Sequence, residues 1–290
     1  YTNLYGFRPS PGLIPDKRGE SKYPVLTTPG GIARTPEDLS IFLDSVSGID
    51  DEDHYSYSFE GSFRSIETHL NGNIKIGWLS NFVESYTFEK GIIELCEIAL
   101  NEFASAEKKI SIEQCNIKID PNKLWEVWCN LRSKITFDDL DAMQIQNFEE
   151  LGFPVKWEYE QGKKIKDVEI TNAINQYHKD HSYVDGLFDE YDILALPSAQ
   201  LFPFDKEIDF PKSIQETQMD TYHRWMEVTV FASMFQLPTI SVPVGFNEKG
   251  LPMGMQLIGK NKTDAKEIHV GKCYEEVFNR SKIQPNLINE

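Results

Sequence analysis

The chain has 290 residues, 40% hydrophobic and 12% aromatic, enough apolar material for a large core in one α/β domain or two smaller ones. Its 29 basic against 46 acidic side chains leave a formal charge of −17, which argues against nonspecific binding to nucleic-acid phosphates or anionic membranes. No apolar run approaches the roughly 18 to 20 residues of a spanning helix, and the four cysteines form no C-x-x-C pair, so a soluble cytoplasmic protein with buried thiols is expected.

In chain order, the stretch YGFRPSPGLIP from Tyr5 to Pro15 reads as a loop of fixed shape. Such a loop belongs in the middle of a structure, and residue 1 is Tyr, so further polypeptide is expected upstream. ARTPEDLSIFLDSV then sets Thr35 three residues before Asp38, with Leu39, Phe42, Leu43 and Val46 at helical intervals: a capped amphipathic helix. GIDDEDHYSYSFEGSF is polar and aperiodic, a surface connection. Ile74 to Leu79 reads as a strand, followed by a helix through Ile92, Leu95, Cys96, Ala99 and Phe103. ISIEQCNIKI suggests another strand, and Asp120 with Pro121 opens the helix PNKLWEVWCNLRSKI.

The stretch from Phe137 to Tyr191 is helical in pattern, with breaks near Gly152 and Gly162, and its last piece, Val168 to Phe188, is expected on the outside. DILALP and TISVPVGF suit strands covered on both faces, and GMQLIG pairs antiparallel with TISVPVGF through a turn at Gly250. YHRWMEVTVFASMF is apolar nearly all round and reads as a buried helix. DAKEIHVGKCYEEVF, capped by Asp264, closes the order. The alternation predicts an α/β fold, a large mixed β-sheet covered by helices on both faces, with 1-290 as a single domain.

GFRPSPGLIP, GIARTPEDLSIFL, IKIGWL, LWEVWCNLR, YDILALPSAQLFPFD and the long run MDTYHRWMEVTVFASMFQLPTISVPVGFNEKGLPMGMQLIG together resemble the amidase signature family, in particular the later and larger part of a general amidase. The resemblance implies a fold incomplete on its N-terminal side. It also implies hydrolysis of a small carboxamide to a carboxylate and ammonia or an amine, without metal or cofactor. In the family a serine nucleophile is activated through a second serine on a cis peptide by a neutral lysine, and glycine-rich backbone N–H groups hold the oxyanion.

Those groups lie upstream of the G-F-R-P-S loop in the family, so no catalytic residue is carried over here. Gly30-Gly31 is followed by Ile, no G-x-S-x-G elbow exists, and Gly61-Ser62-Phe63-Arg64 lies in a polar connection where a chance match is the better reading. Leu13 stands where the family often has Arg, and Gly31-Ile32 replaces a common Pro-Met. The resemblance places Ser198, Ala199, Gln200 and Trp225 beyond a strand's carboxyl end, as candidates to line the acyl or amine pocket.

His178 and His181, spaced i and i+3, read as a solvated helical face for want of a third ligand. The 290-residue stretch alone is expected to be inactive. Its partners are then an amide substrate and the missing N-terminal segment or a complementary chain, and an unpaired sheet edge also admits a homodimer. The alternatives are a noncatalytic interaction protein or a separately completed subunit, and, more weakly, a component of a tRNA-dependent amidotransferase.

Overall fold

The computed structural model describes residues 1–16, 22–145 and 147–283. Its elements in order are β1 (Tyr5–Arg8), β2 (Gly31–Ala33), α1 (Pro36–Val46), β3 (Ile74–Trp78), α2 (Ser80–Ser85), α3 (Ile92–Ala106), β4 (Ile110–Gln114), α4 (Pro121–Ala142), α5 (Phe153–Gly162), α6 (Asp167–Leu187), β5 (Ile193–Pro197), β6 (Ser213–Ile214), β7 (Thr217–Gln218), α7 (Val230–Met234), β8 (Thr239–Phe246), β9 (Pro252–Ile258) and α8 (Asp264–Phe278). Seven strands form one mixed sheet in the order β2-β1-β8-β9-β5-β3-β4, and β6 and β7 make a separate two-stranded ribbon. The α/β architecture read from the sequence is the one found.

Local chemistry sets several boundaries as expected. Thr35 accepts the Asp38 amide at the start of α1, and Asp120 accepts the Asn122 amide ahead of Pro121 in α4. β8 and β9 pair antiparallel through a turn where Gly250 has φ of 76°, a left-handed conformation that glycine adopts without a Cβ clash. β5 is buried at all five positions, as a strand covered on both faces must be.

Elsewhere the structure departs from the sequence reading. Tyr5–Arg8 is a strand, its Tyr5 and Phe7 buried and Gly6 and Arg8 half-buried, inserted between β2 and β8. The prolines that dominate the window all follow it, so four alternating residues were hidden under a loop composition. YHRWMEVTVFASMF is not one helix. Arg224–Thr229 is a 3₁₀ segment with a break at Met226 (φ −116°, ψ 16°), and only Val230–Met234 is α-helical. There Val228, Thr229 and Val230 are three β-branched residues in a row, poor helix formers, and the Thr229 hydroxyl turns back to the Met226 carbonyl. Asp264 is the first residue of α8 and not its cap, because its carboxylate is taken by the Ser10 amide at 2.7 Å and the Tyr57 hydroxyl at 2.9 Å. The helix α2 was not anticipated.

α1, α3 and α8 pack on one sheet face; on the other stands α7, with α4 against it and α5 and α6 outside α4. Cys96, Cys115 and Cys273 are buried and all four thiols are free. Among the described residues no helix is long and apolar enough to cross a membrane.

Candidate functional site

Strand registers bring four distant segments side by side. Gly6 faces Ser241, Ser241 faces Gln256, and Gln256 faces Leu196. Because side chains alternate across a strand, Phe7, Ile240 and Leu257 point into the core under α8, whereas Gly6, Ser241 and Gln256 point the other way. On that side the sheet is uncovered beside α7, and an open cleft of about 420 Å³ lies against it. The expected burial of β8 on both faces therefore fails at Ser241, which is half-buried on the cleft wall.

The wall carries the hydroxylated residues Ser198, Thr229, Ser233, Thr239 and Ser241 beside Gly6 and Gly31, together with the apolar Ile32 and Ala232 and the polar Gln256. Gly30 lets the chain before β2 run against β1, since a Cβ there would fall 2.2 Å from the Phe7 carbonyl oxygen. Arg8 is the one charged residue among the described lining residues, and its Nη2 reaches the carbonyls of Leu26 and Ser233, 3.4 Å each. Among the described residues no lysine or histidine lines the cleft. The one buried lysine among them, Lys272 on α8, donates to the carbonyls of Phe63, Arg64 and Ile66 and pairs with Glu37 at 2.9 Å.

Of the residues singled out from the sequence, Ser198 lies on the cleft wall, its amide donating to the Gly254 carbonyl at 3.0 Å. Ala199 is half-buried against the core. Gln200 is completely buried and turned into a brace: Nε2 donates to the Thr87 carbonyl and Glu227 Oε1, and Oε1 accepts the Val228 amide. Burial raises the Glu227 carboxyl above its usual range, and Arg224, with Nε 2.7 Å from Oε2, opposes that rise. Trp225 is half-buried, its Nε1 donating to the Tyr222 carbonyl at 3.0 Å and its ring against Tyr1 and Phe204. Of the four, only Ser198 lines this cleft; Trp225 does not, although Thr229 four residues later does, and Gln200 acts behind the wall.

Arg8, Ser241 and Gln256 were not singled out. Gln256 carried a legible signal, a lone amide inside an apolar strand; it is 5% exposed and ties the Pro197 and Val228 carbonyls together. His178 is exposed, and His181 is half-buried against Tyr177 and Phe235. No group of three or more His, Cys, Asp or Glu among the described residues could hold a metal. Ser62 is spent on Asp44, which also accepts the Phe63 and Arg64 amides.

A family model described as Amidase matches residues 1–267. The A subunit of the glutamyl-tRNA(Gln) amidotransferase of Orientia tsutsugamushi (strain Boryong) is 26% identical over 96% of this chain and 60% of its own length. A fatty acid amide hydrolase of Medicago truncatula is 40% identical over 70 residues, 24% of this chain and 12% of the relative. Among solved structures, a bacterial aryl acylamidase of the amidase signature enzymes superposes with a TM-score of 0.83 at 22% identity, covering 98% of this chain and 61% of the other. The A subunit of the Thermotoga maritima glutamyl-tRNA(Gln) amidotransferase gives 0.69 at 21% identity over 94% and 58%. The chain spans about 60% of the length of the full-length relatives it matches.

Proposed function

Since this chain belongs to the Amidase family, we propose that the whole protein hydrolyses a small carboxamide to a carboxylate and ammonia or an amine, with the cleft beside α7 forming part of the substrate site. The observation that carries the reading is the composition of that cleft. It offers hydroxyls, glycines and backbone beside apolar Ile32 and Ala232, surroundings that suit an amide with a small apolar group, but among its described residues no lysine or histidine able to take a serine proton. The buried Lys272 is saturated by carbonyls and a carboxylate elsewhere. The serine, bridging serine and lysine are accordingly supplied by polypeptide upstream of Tyr1, or by a complementary chain seated on the uncovered sheet face.

The test is hydrolysis of simple amides by the 290-residue chain alone and by the chain extended upstream with polypeptide that carries the lysine, the bridging serine and the glycine- and serine-rich nucleophile segment. The extended protein is expected to turn over amides and lose that activity to a serine-directed phosphonofluoridate, while the chain alone stays at the uncatalysed rate. Serine-reagent-sensitive turnover by the chain alone would overturn this assignment. A second reading, a protein that transfers ammonia to a charged tRNA, is favoured by the amidotransferase subunits among the relatives. Amide hydrolysis that accelerates only with partner subunits and aminoacylated tRNA would select it.

A further inference from the structure

We propose that the groove between α4 and α6 binds a short linear peptide, about four residues long, through its backbone amides and its two charged ends. The groove has a volume of about 490 Å³ and shares no lining residue with the cleft beside α7, so this site stands apart from the hydrolase reading above.

Helical spacing builds the groove. Val127 and Asn130 follow Lys123 by four and seven positions on α4, and Asn172, Ala173, Gln176 and Lys179 follow Glu169 on α6 at the intervals that share one helix face. The two helices run antiparallel. At one end the Tyr183 hydroxyl of α6 accepts the Lys118 amide just ahead of α4, and at the other the Asp138 and Asp167 charges both act on the Tyr23 phenol. Lys123 is therefore level with Lys179, while Glu169 lies toward the opposite end, and the ten residues from Glu169 to Lys179 span about 15 Å of helix.

The chemistry of the lining selects the ligand. Val127 and Ala173, each 3% exposed, make a small apolar floor. Beside it stand Asn130, Asn172 and Asn175, whose side chains make no hydrogen bond to another described residue. Gln176 Nε2 donates to both Asp180 oxygens at 2.9 Å, which leaves its own carbonyl oxygen free to accept. A side-chain amide carries a donor and an acceptor in one plane, as a peptide group does, so the two can pair in both senses. A ligand that displaces water from such a lining must return both kinds of bond, which an apolar molecule or a bare anion does not.

The charges set the ends. Lys123 is answered by Glu126 at 2.8 Å, whereas Lys179 has no acidic partner among the described residues. Glu169 has no basic partner among them, and one of its oxygens accepts the Lys166 amide. The groove is thus neutral in sum, with an unanswered cation toward one end and an unanswered anion toward the other. An extended chain of about four residues, at roughly 3.3 Å each, holds its ammonium and carboxylate about 13 Å apart, close to the span between Glu169 and Lys179. Glu126 and Glu169 repel a polyanion, and a neutral sugar supplies no charge to either end.

The test is calorimetric titration of tetra-alanine into the 290-residue chain and into the whole protein. Saturable binding at one site is expected, weakened at least about tenfold when both peptide ends are blocked by acetylation and amidation, and weakened by raising salt from about 0.1 to 1 M. Lys179→Gln is expected to raise Kd about threefold or more and Asn172→Leu about fivefold or more. Both residues are exposed, and circular dichroism checks that each variant is folded. No saturable binding up to about 10 mM overturns the site, as does binding that neither substitution moves. Equal affinity for the blocked peptide, or saturable binding of maltotetraose in its place, also overturns it.

Discussion

In the first turn of α8, Glu267 is fully buried: Oε1 accepts the Thr263 hydroxyl at 3.0 Å, and Oε2 is buried with no hydrogen-bond partner among the described residues. Burial, reinforced by the neighbouring Asp264 charge, raises its carboxyl well above the usual range. A group whose pKa is higher in the folded state than in the unfolded one stabilises the fold below the unfolded value, about 4.3, and loses that contribution as pH rises through the folded value. Glu267→Gln keeps the shape and removes the charge. Its melting temperature is expected to exceed that of the natural protein at pH 8 and to converge with it near pH 4, the difference amounting to about 1.4 kcal/mol for every factor of ten by which folding weakens the acid. A variant less stable at pH 8 than at pH 4, relative to the natural protein, would contradict this. Nothing in the sequence announced this residue, because Glu three positions from an Asp at a helix start reads as ordinary dipole chemistry.

At the scale of elements, the segment before α7 is held from two sides. Glu158 on α5, 2% exposed, accepts Arg132 Nε at 2.7 Å, the Ser133 hydroxyl at 2.5 Å and the Tyr222 hydroxyl at 2.8 Å, with His223 Nε2 at 3.4 Å. Burial pushes this carboxyl up, but the hydrogen bonds from His223, Ser133 and Arg132 and the Arg132 charge bring it down to about 2. The sign is therefore opposite to that of Glu267: the contribution is present above about 4.3 and is lost as pH falls toward 2. Glu158→Gln is expected to cost about 2 to 3 kcal/mol at pH 7, less than a fully buried pair because Arg132 is 35% exposed, and to flatten acid unfolding between pH 4 and 2. Urea unfolding at the two pH values checks it.

The same segment shows where the sequence stops being legible. Thr35, Asp120, Pro121 and Gly250 mark their boundaries because capping and turns are settled by residues a few positions apart. The break at Met226 is marked only by the β-branched run that follows it; its place is set where the chain must serve Glu158 on one side and the Gln200–Glu227 brace on the other. Ser198 came from the resemblance to the family, and the structure puts it on the cleft wall. Arg8 and Ser241 were not legible, because only their pairing through β1 and β8 places them on one wall.

Across the whole molecule, burial is uneven along the sheet. β5 and its neighbour β9 sit at the centre, whereas β2 is a three-residue edge strand with Ile32 74% exposed, and β4 closes the other edge with Ser111, Glu113 and Gln114 exposed. Amide hydrogen exchange is expected to be slowest in β5 and the paired part of β9, and faster by orders of magnitude in β2 and on the outer side of β4. Uniform protection across the seven strands would show that the sheet opens only as a unit.

The place of β1 in that sheet also bears on how the protein comes into being. Arg8 meets its Ser233 partner 225 residues further along the chain, and β8, the strand β1 pairs with, is later still. At translation rates of about 5–20 residues per second, the nascent β1 waits on the order of ten to fifty seconds before its second neighbour, β8, exists. During that interval Tyr5 and Phe7, both buried in the finished sheet, have only the three-residue strand β2 to pair with on one side and no strand on the other. Native yield is then expected to fall with rising growth temperature and to recover with added chaperone, even where the final free energy of the fold is unchanged.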